Sequence, residues 1–211
     1  MATETKDSVL GKKELKLLTD PIDDNNPVTV QILGVCSALA VTSQVYPALI
    51  MAVGVTLVTA FSNLVTSMLR KTIPSSIRMI IQLLIVAALV QVVEMLLGAF
   101  AYSAYEMLSV FVGLIITNCI VMGRLEAYAM ANKPWQSFLD GIGNGLGYGF
   151  ILIIMAVIRE ITGKGSFMGW KVLPEWYVPN NLMVLPCASL FLIGVIIWIQ
   201  RGRNRKLIDV S

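Results

Sequence analysis

Six long apolar stretches leave this chain few folds to choose from. They run over 28–42, 45–69, 79–100, 107–123, 137–158 and 182–199, with short polar segments between them. A helix needs about 20 apolar residues to cross a hydrocarbon core roughly 30 Å thick, and in that core the backbone must satisfy its own hydrogen bonds. The second, third and fifth stretches are long enough, and the sixth is borderline. The first and fourth, at ~1.5 Å per residue, reach only ~22–26 Å. Composition agrees: 56% of the 211 residues are hydrophobic and 14% are charged. A soluble domain carries about 25% charged residues, so this chain cannot cover itself with a wet surface. The expected fold is an all-α integral membrane protein with six transmembrane segments.

The two short stretches open the two halves, 28–100 and 107–199, and each carries one cysteine near its middle, Cys36 and Cys119. Three segments per half is an odd number, so the second half enters from the opposite side. That predicts two inverted three-helix repeats, the first and fourth segments being short or broken half-helices that meet near the midplane. Residues 1–27 read as a polar cytoplasmic segment without a cleavable signal peptide, 28–200 as a single membrane domain, and 201–211 as a basic cytoplasmic tail. Of the 16 Lys and Arg residues, only Arg159, Lys164 and Lys171 oppose the rest when the N-terminus, the 70–78 and 124–136 loops and the tail share a side. The positive side is cytoplasmic, so both termini are expected inside. Trp135, Trp170, Trp176 and Trp198 fall at or beyond segment ends, where an indole anchors in the headgroup region. The net charge of +3 is confined to short loops and is no nucleic-acid signal.

Few residues can carry chemistry. The chain has no histidine, which removes imidazole as a ligand or base. The three cysteines, Cys36, Cys119 and Cys187, lie in apolar stretches, which argues against a disulfide framework. A thiol in such a place is a small apolar filler or, for Cys36 and Cys119, a metal ligand; soft thiolates suit iron–sulfur clusters. Two ligands complete no cluster, so a four-thiolate site needs two more from another subunit. Cys187 has no counterpart in the other half and reads as filler. Glu94, inside the third stretch, is either a functional acid or a side chain snorkelling to the interface. Asp140 opens the fifth stretch, where the helix macrodipole favours a carboxylate. Arg159 and Glu160 close that stretch and are expected to be wet. The glycines after Asp140 form two small-xxx-small frames, 141/145/149 and 143/147, suited to close helix packing. With no preceding strand and no following Lys-Ser/Thr, they do not read as a phosphate loop.

Three runs carry a resemblance: Leu-Gly-Val-Cys-Ser-Ala-Leu-Ala-Val-Thr over 33–42, Ile-Thr-Asn-Cys-Ile-Val-Met-Gly-Arg-Leu-Glu-Ala over 116–127, and Asp-Gly-Ile-Gly-Asn-Gly-Leu-Gly-Tyr-Gly-Phe over 140–150. From about residue 25 to 198 the chain resembles the D-subunit family of the sodium-translocating NADH:quinone oxidoreductases, more closely than the sister E subunit of the Rnf complex. The resemblance implies a six-subunit complex of the bacterial inner membrane that passes electrons from NADH to ubiquinone while exporting sodium. It implies an iron–sulfur centre, of two-iron two-sulfur type, held between this chain and a homologous E subunit of opposite topology. Cys36 and Cys119 match its ligand positions, and Glu94 and Asp140 match acids associated with the sodium path. It also implies that this chain binds no flavin or NAD itself and is part of a translocase without being catalytic alone. Other classes to weigh are a cofactor-free secondary transporter, which needs no cysteines, and a purely structural membrane subunit.

Overall fold

The structure, a computed structural model, describes residues 17–21, 25–100, 113–167, 170–171 and 181–203. The far N-terminus, the start of the fourth stretch, Trp176 and most of the basic tail lie outside the described residues. The main helices of the described residues are α1 (Val35–Val41), α2 (Val45–Leu69), α3 (Arg78–Phe100), α4 (Cys119–Arg124), α5 (Pro134–Lys164) and α6 (Pro186–Arg203). Among the described residues three spans, Val45–Leu69, Arg78–Leu96 and Pro134–Gly163, are long and apolar enough to cross a membrane, and Pro186–Gly202 is shorter. A minimal antiparallel pair follows α5, Ser166–Phe167 with Trp170–Lys171.

The first and fourth stretches are indeed broken, each for a visible local reason. In the first, residues 28–34 form no helix. Asn26 takes the N–H groups of Val28 (2.9 Å) and Thr29 (3.4 Å) on its side-chain oxygen, and its carbonyl takes those of Val30 and Gln31. These backbone groups are thus satisfied without a helix. Ile32 (φ 55°) and Gly34 (φ 76°) then turn left-handed, and α1 starts. In the fourth, 113–116 are helical, the chain breaks at Thr117–Asn118, and Asn118 caps the restart by accepting the Ile120 N–H at 3.1 Å. The restarted helix then passes the expected end at Gly123 and continues as a π-helical turn, Leu125–Ala129.

The fifth stretch is longer than hydropathy alone predicts. Pro134 pre-sets the first turn of α5, and Gly165, at φ 67°, ends it with its N–H on the Ile161 carbonyl. Asp140 is therefore in the second turn and not at the helix start. Arg159 and Glu160 are inside the helix, not beyond it.

Helix α5 lies along α2, and its glycines explain how closely. A Cβ at Gly141 would stand 2.7 Å from the Ala60 Cα, one at Gly145 2.6 Å from the Thr56 Cα, and one at Gly149 2.9 Å from the Ala52 Cβ. The partners step back four residues at a time along α2, so the helices run antiparallel through the 141/145/149 frame. The second frame serves another neighbour: Gly143 and Gly147 abut the backbone of Leu17 and Pro21. Helix α3 packs against another flank of α2, with Met79, Leu84 and Met95 on an exposed apolar face. Gly141→Ala is expected to destabilise the protein by about 1–3 kcal/mol, the usual cost of overpacking. Gly194→Ala, where an added Cβ meets nothing within 4 Å, is expected to be neutral. Melting curves of the two variants in detergent check this.

Candidate functional site

The breaks that shorten α1 and α4 also bring their cysteines together. Cys36 is the second residue of α1 and Cys119 the first of α4. Both thiols are exposed, and both line one recess with Gly34, Ser37, Leu114, Thr117 and Asn118. The recess holds about 20 Å³, room for little more than one water-sized sphere. Anything larger bound to these thiols must stand proud of the chain's surface. Among the described residues no third Cys, Asp or Glu joins them. Cys187 lines a separate apolar face with Leu190, Phe191 and Trp198. Its thiol is exposed on that face, away from the recess.

The wall behind the recess is polar and dry. The Ser37 hydroxyl lies 2.9 Å from the Gly34 carbonyl, 2.7 Å from the Tyr148 hydroxyl and 3.3 Å from the Asn118 amide nitrogen. Helix α5 thus reaches α1 through Tyr148, and reaches the segment before it through Asn26, whose amide donates to the Gly147 carbonyl at 3.1 Å.

Asp140 and Glu94 are carried by different helices, α5 and α3, each of which packs against α2. Asp140 is 2% exposed and held bidentately by Arg124: Nε donates to Oδ2 at 2.9 Å, and Nη2 donates to Oδ1. Asn144 donates a further hydrogen bond to Oδ1 at 3.1 Å. Its charge partner is thus a guanidinium rather than the helix end. Glu94 is half-buried and makes no hydrogen bond or ion pair among the described residues. Arg78 pairs with Glu126, Gln82 donates to Glu126, and Arg70 donates to the Asn132 carbonyl at 2.7 Å. The 70–78 and 124–136 loops therefore sit at the same end of the bundle.

The opposite end corrects the expectation that Arg159 and Glu160 are wet. Arg159 is 2% exposed, and its guanidinium donates to Thr42 Oγ1 (2.6 Å) and to the carbonyls of Leu39, Met183, Val184 and Leu185. It ties the C-terminal end of α1 to the turn before α6. Glu160, also buried, accepts the Val45 N–H at 2.7 Å and so caps α2.

The family described as "Rnf-Nqr subunit, membrane protein" matches residues 14–197 of this chain. The chain belongs to the Rnf-Nqr family. It is 60% identical over 205 residues to the D subunit of the Na(+)-translocating NADH-quinone reductase of Shewanella baltica (strain OS155), covering 94% of this chain and 98% of that one. The corresponding D subunits of Shewanella sp. (strain ANA-3) and Shewanella oneidensis are each 59% identical over the same length. Within this Rnf-Nqr chain, the roles of Asn118 and Tyr148 behind the recess, and of Arg159 at the far end of α1, escape sequence reasoning. Asn118 has a readable signal, since Asn is a preferred N-cap. Tyr148 and Arg159 have none, because nothing in a helical stretch says which neighbour its polar atoms will meet.

Proposed function

We propose that this chain is the D subunit of a sodium-translocating NADH:quinone reductase and relays electrons across the bilayer through an iron–sulfur centre shared with the homologous E subunit. The observation that carries the reading is the convergence of Cys36 and Cys119, 83 positions apart in sequence, as two exposed thiols on one recess. The donor set fits such a centre: soft thiols, no competing carboxylate among the described residues, and too little volume to enclose it. The remaining ligands then come from a second chain seated over the recess. When bound, the centre supplies one-electron transfer. This chain's residues hold its two thiols at the starts of two short helices and back them with a dry hydrogen-bonded wall. Six spans in two inverted halves put those helices near mid-membrane. The Arg70, Arg78 and Arg124 end faces the cytoplasm, with both termini, in the bacterial inner membrane. A cofactor-free carrier leaves the paired thiols without a task. Relatives 59–60% identical to this chain are named D subunits of Na(+)-translocating NADH-quinone reductases, which supports that complex over the Rnf alternative.

Isolated and purified as a monomer, this chain is expected to hold no stoichiometric iron–sulfur centre, whereas the assembled complex does. A full complement of iron and sulfide in the monomer would contradict the shared site.

Glu94 and Asp140 are the candidates for the sodium path, and they differ in readiness. Asp140 meets a cation only if Arg124 withdraws, whereas Glu94 has a carboxylate free of such a pair among the described residues. Glu94→Gln is expected to weaken the sodium dependence of turnover while leaving cofactor content intact. Superimposable sodium activation curves for variant and parent would remove Glu94 from the path.

A further inference from the structure

The polar wall of the recess joins the two cysteine-bearing helices to each other. Ser37 follows Cys36 directly, and Asn118 directly precedes Cys119. Their hydrogen bond, Asn118 Nδ2 to Ser37 Oγ, therefore spans the seam between α1 and α4 one residue from each thiol. The orientation of the Asn118 amide is fixed, because its oxygen already accepts the Ile120 N–H. The hydroxyl inventory closes as well. Ser37 has one proton, which goes to the Gly34 carbonyl, and two lone pairs, which accept from Asn118 and from Tyr148. Ser37 and Asn118 are each 3% exposed and Tyr148 is wholly buried, so none of these bonds competes with water. Packing seals the same seam: a Cβ on Gly34 would stand 2.6 Å from the Ile120 side chain and 3.2 Å from the Tyr148 ring.

We propose that Ser37, Asn118 and Tyr148 are positioning residues that lock the two thiol-bearing helices in register, so that this chain alone sets the spacing of Cys36 and Cys119. The proposal rests on the reading that those thiols ligate a metal centre. Ligands held rigidly impose one geometry, and hydrogen bonds behind them tune the potential; a loosened seam allows several geometries.

The test uses the purified, fully assembled complex carrying Ser37→Ala, Tyr148→Phe, both together, Cys36→Ala, or Cys187→Ala as control. The readouts are iron and acid-labile sulfide content, the EPR signal of the reduced centre and its midpoint potential. Ser37→Ala and Tyr148→Phe are expected to keep the iron and sulfide but to broaden the signal and move the potential. The double variant should go no further than Ser37→Ala, because the Tyr148 bond ends on the hydroxyl already removed. Should Ser37→Ala fail to assemble, Tyr148→Phe decides alone, since it leaves the Ser37–Asn118 bond and the ring in place. Parental signal and potential in Tyr148→Phe and Ser37→Ala, with the centre lost in Cys36→Ala, would overturn the positioning role and leave the ligand reading standing. A centre retained in Cys36→Ala would overturn both.

Discussion

Cys36→Ala and Cys119→Ala are each expected to abolish electron transfer from NADH to quinone, and the double variant to be no worse than either alone. Ligands of one centre act as a unit, so removing the second after the first costs nothing more. The fold allows the pair to act as a unit, because both thiols open onto the same recess although each heads a different helix. Cys187→Ala should be close to neutral, since that thiol sits on an outer apolar face away from the recess. NADH oxidation by an artificial acceptor should survive in all four variants, because in the proposed relay that step precedes the membrane crossing. Comparing NADH-to-acceptor with NADH-to-quinone rates separates these outcomes. Additive losses, or a near-parental rate in either single variant, would place the thiols off the electron path.

Breaking the Arg124–Asp140 pair should produce the largest loss of stability. The two side chains are 14% and 2% exposed, so removing one partner leaves the other buried and uncompensated. The usual cost of that is about 3–5 kcal/mol. Asp140→Leu and Arg124→Leu are each expected to lower markedly the temperature at which the complex comes apart. The double variant should recover much of the loss, because two apolar side chains leave no orphaned charge. Thermal dissociation followed by native gel electrophoresis reads the cycle. Equal and additive losses would mean that the two residues act separately and that the pair is not what ties α4 to α5.

Hydropathy and spacing made much of this architecture legible. The second and third stretches became α2 and α3 close to their expected bounds, and the first and fourth broke as their shortness requires. The glycine frames foretold the tight seam between α2 and α5, since only a missing Cβ lets Thr56 and Ala60 approach so closely. What sequence periodicity could not give was the destination of polar side chains at helix ends. Arg159 and Glu160 look like wet terminal charges in a hydropathy profile. In the fold they are buried because α1 and α2 present unpaired backbone groups at that depth. Asp140 looks like a helix-start carboxylate only while the helix is taken to begin at residue 137; Pro134 moves the start back and frees the side chain for Arg124. That the two cysteine-bearing half-helices meet was legible in their matching places, but the left-handed turns at Ile32 and Gly34 that lead into α1 are announced by no pattern.

The most direct test of the central claim is chemical rather than kinetic: iron and acid-labile sulfide counted per purified complex, with and without Cys36. The account predicts that Cys36→Ala assembles and loses one whole iron–sulfur centre, iron and sulfide together, while flavin content stays parental. Parental iron and sulfide in that variant would show that the thiol holds no metal, and the shared centre would have to be sought elsewhere.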